Sequence, residues 1–286
     1  MIRTVATHPL INEVRFNVGM RTPYGEEETL KRILDVTKDK KFWLDIKGRQ
    51  LRIEQWSVPT YGDIVLNHKV EVDLPATVWF RGNEKSTIIA ISENKIYVEP
   101  QPPRAVGAGQ AINIHGSNLK IIGYLTDEDK RYLDAAAKIG IKNFMLSFVE
   151  CWDDIKLVSD NYPVNDIIDK IESPKGVAWI DSFNNAAVTL MAARDDLYIN
   201  TESKLTIFDH LKTIIDKDRD AILASRILES LIDNEHPSLS DLTDIGLMVM
   251  MGYKTFMFGD GLCLSKSFDR ACNILSRSYF KWAKSM

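Results

Sequence analysis

Two short segments carry the side chains best suited to chemistry: Lys170-Ile171-Glu172-Ser173 and Ala193-Arg194-Asp195-Asp196-Leu197. Each closes an apolar run. Val164 and Ile167-Ile168 lead into the first, and Ala186, Val188, Leu190 and Met191 lead into the second. In an α/β chain, charged residues at the C-terminal ends of successive strands point into one shared site. Glu172 and Asp196 are then candidate ligands for a divalent metal, while Lys170 and Arg194 are left to face an anion. Oxygen ligands beside strong cations suit Mg²⁺ or Mn²⁺ and a phosphate or carboxylate substrate. Either segment taken alone reads equally well as a surface ion pair at a loop start.

Placing these residues together requires parallel strands joined by helices. From Thr126 onward, apolar runs of strand length alternate with segments of helical period. Thr126 with Asp129 resembles a capping box that opens a helix through Tyr132, Leu133 and Ala136-Ala137. Strands are expected over 142–147, 167–171, 187–193, 220–224 and 253–258. Helices are expected over 151–158, 182–185, 205–215, 240–250 and 266–278. This βαβα alternation implies a parallel sheet, and its number of units suits a (β/α)₈ barrel.

The first third differs. Arg3 to Ala6 and Val14 to Asn17 read as two short strands, Glu26 to Val36 as an amphipathic helix, and Phe42 to Ile46 as a third strand. Residues 54–116 then show short β runs separated by Gly, Asn and Pro turns, with a hairpin from Thr87 to Pro100 turning at Ser92-Glu93-Asn94. The expected organisation is a barrel built from 1–53 and 117–286, with a small, lid-like all-β domain at 54–116.

Composition narrows the functional classes. A chain of 286 residues holds one large domain or one plus a small insert. The formal net charge is -4 and no basic block stands out, so neither nucleic acid nor a membrane surface is an expected partner. No apolar stretch is long enough to span a bilayer and no signal pattern opens the chain, which points to the cytoplasm. Cys151, Cys263 and Cys272 lack CxxC spacing and fit a reducing compartment.

A series of motifs, in order, resembles the pyruvate kinase family. Val14-Arg15-Phe16-Asn17 looks like A-R-L-N-F-S-H-G, and Leu44 to Arg52 looks like L-D-T-K-G-P-E-I-R. Ala111 to Gly116 is similar to G-V-N-L-P-G, and Leu125 to Lys130 to L-T-E-K-D-K. Lys170 to Ser173 follows K-I-E-N, Ala193 to Leu197 follows A-R-G-D-L, and Ala224 to Ser230 follows A-T-Q-M-L-E-S. Pro237 to Asp244 follows P-T-R-A-E-x-S-D.

The resemblance implies a metal and phosphoenolpyruvate at the top of the barrel, with phosphoryl transfer to a nucleoside diphosphate. Glu172 and Asp196 match the metal ligands, Lys170 the lysine that stabilises the transferring phosphoryl group, and Arg15 the arginine facing it. Ser225 stands where the family has a threonine near the enolate carbon. Arg194, Asp195, Asp196, Arg52 and Asn17 match the substrate side.

The departures also carry meaning. Asn17 and Asp45 keep two oxygens of the family's K⁺ site, but Gly19 and Ile46 supply none, so K⁺ is not expected as a cofactor. Gln50, Met20 and Gly109-Gln110 replace charged or nucleotide-side residues, and Asp195 and Tyr198 replace glycines. A carboxylate beside an anionic ligand opposes binding by roughly 2–4 kcal/mol at an effective dielectric of about 20; pairing it with a cation removes most of that cost. The family's C-terminal effector domain is expected to be absent. Alternatives from the same residues are a metal-dependent 2-oxo acid lyase or enolate enzyme, and a non-catalytic homologue that binds a ligand or partner. Expected partners are phosphoenolpyruvate or pyruvate and ADP or ATP; the oligomeric state, a homo-oligomer included, stays open.

Overall fold

A computed structural model of the chain describes residues 2–37, 40–57, 62–80, 84–182 and 188–284. In chain order it begins with α1 (Ile2–Thr7), β1 (Glu13–Asn17), α2 (Glu26–Val36) and β2 (Lys41–Ile46). Seven short strands follow: β3 (Ile64–Val65), β4 (Lys69–Glu71), β5 (Ala76–Phe80), β6 (Glu84–Ser92), β7 (Lys95–Glu99), β8 (Ile112–His115) and β9 (Lys120–Ile122). Helices and strands then alternate: α3 (Asp127–Ile139), β10 (Asn143–Leu146), α4 (Trp152–Ser159), β11 (Asp166–Ile171), α5 (Pro174–Ile180), β12 (Val188–Ala193), α6 (Arg194–Asn200), α7 (Ile207–Lys217) and β13 (Ile222–Ala224). The last elements are α8 (Leu239–Met251), β14 (Thr255–Met257), α9 (Asp260–Cys263) and α10 (Phe268–Ala283).

Contacts divide the chain into two units, one of 1–45 with 132–286 and one of 46–131. The first unit is α/β. Its sheet runs in the order β1-β2-β10-β11-β12-β13-β14, and β1 with β2 and β10 through β14 pair in parallel. Strands such as β2 and β12 are largely buried on both faces, as expected where helices cover one face and side chains fill the other. Trp43, Met145, Ile168, Met191, Ile222 and Ala224, contributed by five strands, form one buried cluster with Met257 of β14 packed against it. Side chains from that many strands meet in one layer only when the sheet curls around them.

The second unit holds a five-stranded antiparallel sheet, order β3-β7-β6-β5-β8, and the pair β4-β9. Strict alternation in β5 and β7 sends Val78, Phe80, Ile96 and Val98 into one core. The expected hairpin forms from β6 and β7, with Glu93 in the left-handed region at φ 60°.

Two expectations need correction. Arg3 to Ala6 is not a strand but lies within α1. Its β-branched Thr4 and Val5 favour extension locally, yet Val5 packs against the cluster of Ile227, Leu231, Phe258 and Phe268, and that tertiary contact overrides propensity. The helix expected at 182–185 lies earlier, as α5; Ser182 is in a turn, and 183–185 fall outside the described residues. Ser173 accepts a hydrogen bond from the Gly176 amide and Pro174 takes the first turn, so the start signal sits directly after Glu172. The Thr126–Asp129 capping box is present as expected. Among the described residues, no helix is long and apolar enough to cross a membrane.

Candidate active site

Strand geometry explains why the charged groups converge. Side chains alternate across a strand, so Lys170 shares a face with Ile168, which lies in the central apolar layer. Glu172 follows two residues later, just beyond the end of β11. β11 is paired with β12 in a register that sets Ile171 against Ala192, bringing Arg194, Asp195 and Asp196 up beside it at the next strand's end.

Lys170 sits in a shell of oxygens. Its Nζ donates to Ser147 Oγ at 2.8 Å and to Asp45 Oδ1 at 3.2 Å, and lies 3.2 Å from Glu172 Oε1. Asp45 is 1% exposed and also accepts from Arg15 Nη1, so one carboxylate serves two cations. Arg15 reaches in the other direction to Asp260 Oδ1 at 2.8 Å, at the start of α9. Glu172 Oε2 accepts from the Phe148 amide at 2.9 Å. That amide is presented by a left-handed backbone, φ 53°, which a bulky residue adopts at a cost of about 1–3 kcal/mol.

The charges respond to this packing. Burial works against the Asp45 carboxylate, but Lys170 and Arg15 outweigh it and hold its pKa below the ordinary value. Burial likewise works against the Lys170 ammonium, and Asp45 and Glu172 more than compensate, so Lys170 stays charged. Glu172 goes the other way. Burial pushes its carboxyl up to about 8; Lys170 opposes the shift, while the charges of Asp196 and Asp45 add to it. Glu172 thus faces two further carboxyl groups, Asp45 and Asp196, with Lys170 as the opposing charge.

That imbalance is the test of a metal. Among the described residues no group of three or more His, Cys, Asp or Glu is arranged to hold an ion. Mg²⁺, however, takes one or two protein carboxylates and fills its remaining positions with water and substrate oxygens. Glu172 and Asp196, close enough to perturb one another, fit that donor set.

The other sequence-derived candidates fall in distinct places. Arg194 is buried, with Nη1 donating to Asp244 Oδ1 at 2.7 Å and Nη2 to the Ser225 carbonyl at 2.7 Å. Ser225 itself has φ 69° at the end of β13. Asp195 pairs with Arg226 at 2.6 Å, the cation pairing that removes most of its repulsion of an anion. Asn17 Oδ1 accepts from the Gly19 amide at 2.8 Å. Arg52 belongs to the second unit, where it donates to Gln50 Oε1 and to the Gly109 carbonyl.

Ser147, Asp260 and Arg226 were not anticipated. The signal was present: like Glu172, Ser147 and Asp260 are among the first polar residues after an apolar strand run, and Arg226 follows Ser225 directly.

Residues 81–261 match the family model described as pyruvate kinase, barrel domain. The chain is 24% identical to the pyruvate kinase of Borreliella burgdorferi over 279 residues, covering 86% of this chain and 58% of that protein. It is 25% identical to that of Thermoplasma acidophilum over 279 residues, covering 88% of this chain and 50% of the relative. In fold it is similar to a crystal structure of a Cryptosporidium parvum pyruvate kinase, with TM-score 0.76 and 20% identity over 96% of this chain and 65% of that one. The chain thus spans about half to two-thirds of the length of the relatives it matches.

Proposed function

The chain belongs to the pyruvate kinase family, and on that premise we propose that it transfers a phosphoryl group between phosphoenolpyruvate and a nucleoside diphosphate, with a divalent metal. The curled parallel sheet, of seven strands among the described residues where eight were expected, is read as a barrel of the (β/α) type, the antiparallel unit as an insert in its sequence, and the cytoplasm as its place of action.

The observation that carries this reading is Lys170, charged and buried among Asp45, Ser147 and Glu172, with Arg15 on the same Asp45. Phosphoryl transfer asks a protein mainly for positioning and for positive charge where the equatorial oxygens become more negative. Lys170 supplies a fixed cation held by neighbours that need no rearrangement. Arg15 supplies a second, with its guanidinium anchored by Asp45 and Asp260. Ser225, at the end of the strand beside the Asp196 segment, would supply the hydroxyl near the enolate carbon, which is protonated once the phosphoryl group has left. Glu172 and Asp196 would hold Mg²⁺ or Mn²⁺, which when bound neutralises phosphate charge and orients the substrate.

K⁺ is not part of the proposal. Gly19 and Ile46 carry no side-chain oxygen where the family's K⁺ site has Ser and Thr, so an ion would lack two of its ligands. Activity should therefore be equal in K⁺ and Na⁺ at constant ionic strength.

A coupled assay for pyruvate release with Mn²⁺, with and without ADP, tests the proposal. Pyruvate that forms only when ADP is present supports phosphoryl transfer to nucleotide. Pyruvate forming at the same rate without ADP overturns it in favour of an enolate enzyme.

A further inference from the structure

Beside the Lys170 cluster, the start of α6 and the turn after β13 exchange contacts in both directions. The register pairs Ala193 with Ala224, so Arg194 lies level with Ser225 and Asp195 with Arg226. From α6, Arg194 Nε and Nη2 donate to the Ser225 carbonyl at 3.2 and 2.7 Å, and Nη1 to Asp244 Oδ1 at 2.7 Å. From the turn, Arg226 Nε donates to Asp195 Oδ1 at 2.7 Å, and its Nη2 lies 2.6 Å from the same oxygen. The Arg226 guanidinium carbon is 5.0 Å from the centre of the Tyr198 ring. Ser225, Arg226 and Leu228 have φ of 69°, 56° and 55°, a run of left-handed backbone at non-glycine residues of the kind that gathers at ligand sites.

The two arginines are held very differently. The Arg194 side chain is 8% exposed, and its donors are committed to a backbone carbonyl and a carboxylate, so it is fixed in place. Arg226 is 47% exposed and Asp195 51%. Water screens such a pair and makes it easy to exchange. Both guanidinium contacts from Arg226 rest on one oxygen of one residue, and the Tyr198 ring lies within cation–π reach of it. Asp195 directly precedes Asp196, whose charge reaches Glu172.

We propose that Arg226 is a ligand-binding, specificity-determining residue, which turns from Asp195 to take an oxygen pair of the anionic ligand held beside Lys170 and Glu172. A guanidinium fork matches paired carboxylate or phosphoryl oxygens. Asp195 sets the threshold: a ligand must compete with a carboxylate for Arg226, so weakly anionic molecules are rejected. This inference rests on the reading that the site takes a small anion.

Calorimetry on the full chain with Mn²⁺ tests it, using oxalate, inorganic phosphate and phosphoenolpyruvate as probes, with melting curves to verify folding. R226Q should weaken binding of the probe that pairs with it about ten-fold or more, and R226K should restore only part, because an ammonium lacks the fork. D195N should tighten the same probe, D195N/R226Q should bind no better than R226Q, and Mn²⁺ affinity without a probe should stay unchanged in R226Q. Loss of oxalate binding assigns Arg226 to a carboxylate, and loss of phosphate binding to a phosphoryl group. If D195N weakens binding as much as R226Q and Mn²⁺ affinity falls in both, the pair is only structural and the inference fails. Phosphoenolpyruvate bound equally by parent and R226Q also overturns it, while leaving the kinase reading intact. Arg226-dependent binding of oxalate or phosphate, with none of phosphoenolpyruvate, keeps the inference and overturns the kinase reading. A folded parent that binds none of the three overturns both.

Discussion

Lys170 and Asp169 are neighbours on β11 with opposite fates, because strand alternation sends them to opposite faces of the sheet. Lys170 finds the oxygens of Asp45, Ser147 and Glu172; both carboxylate oxygens of Asp169 are buried with no hydrogen-bond partner. If Lys170 faces the transferring group as proposed, Lys170→Met should lower turnover in the pyruvate assay about 10²-fold or more. Turnover within a few-fold of the parent would take Lys170 out of the chemistry. For Asp169, burial and then the charge of Asp154 raise the pKa well above the ordinary carboxylate value. A raised folded-state value means that its contribution to stability is intact below about pH 4 and declines as pH rises through the folded value. Asp169→Asn abolishes that decline. Its melting temperature should exceed the parent's by a few degrees at pH 8, and the gap should close near pH 4. A gap of equal size at both pH values would show that Asp169 does not titrate in this way.

At the scale of elements, α5 fixes the end of β11. Ser173 caps it, and Gly176 lies where an added Cβ would meet the Val149 carbonyl oxygen at 2.8 Å, closer than real contacts allow. Helix propensity alone favours alanine over glycine by about 1 kcal/mol. The backbone contact should win, because neither the helix nor the Val149 segment can move without disturbing the other. Gly176→Ala is expected to destabilise by about 1–3 kcal/mol, a melting shift of roughly 2–10 °C at this chain length. It should also lower turnover, since Glu172 sits one residue before the cap. A variant as stable as the parent would show that the approach of Val149 is not tight.

At the scale of the molecule, the site exists only because the sheet curls. Asp45 and Lys170 are 125 positions apart yet share a proton-bearing contact. Glu172 and Asp196 come from successive strands, and their carboxylates sense one another. If one ion binds both, Glu172→Gln and Asp196→Asn should each weaken Mn²⁺ binding strongly, and the double variant should lose less than the sum. Spin-relaxation titration measures this; two single variants with parental affinity would make them ordinary carboxylates. If phosphoenolpyruvate is the ligand and the metal helps to hold it, at 100 times its dissociation constant it should stabilise the folded chain by about 2.7 kcal/mol, and that gain should disappear on chelation of the metal.

The sequence by itself determined the α/β class, the capped start of α3, the hairpin of β6 and β7, and the Lys170–Glu172 and Arg194–Asp196 segments. Each of these follows from local periodicity, capping residues, or polar residues placed directly after an apolar strand. Only the tertiary structure decided the rest. Val5 sits in a helix because a distant apolar cluster receives it, which no local preference encodes. In the sequence Arg194 stands out as a cation facing an anion, and Arg226 does not stand out at all. Packing buries the first against Asp244 and Ser225 and leaves the second half exposed on Asp195. Asp45 emerges as the residue shared by Arg15 and Lys170 because the curled sheet brings three strands to one point, and sequence spacing carries no record of that curl.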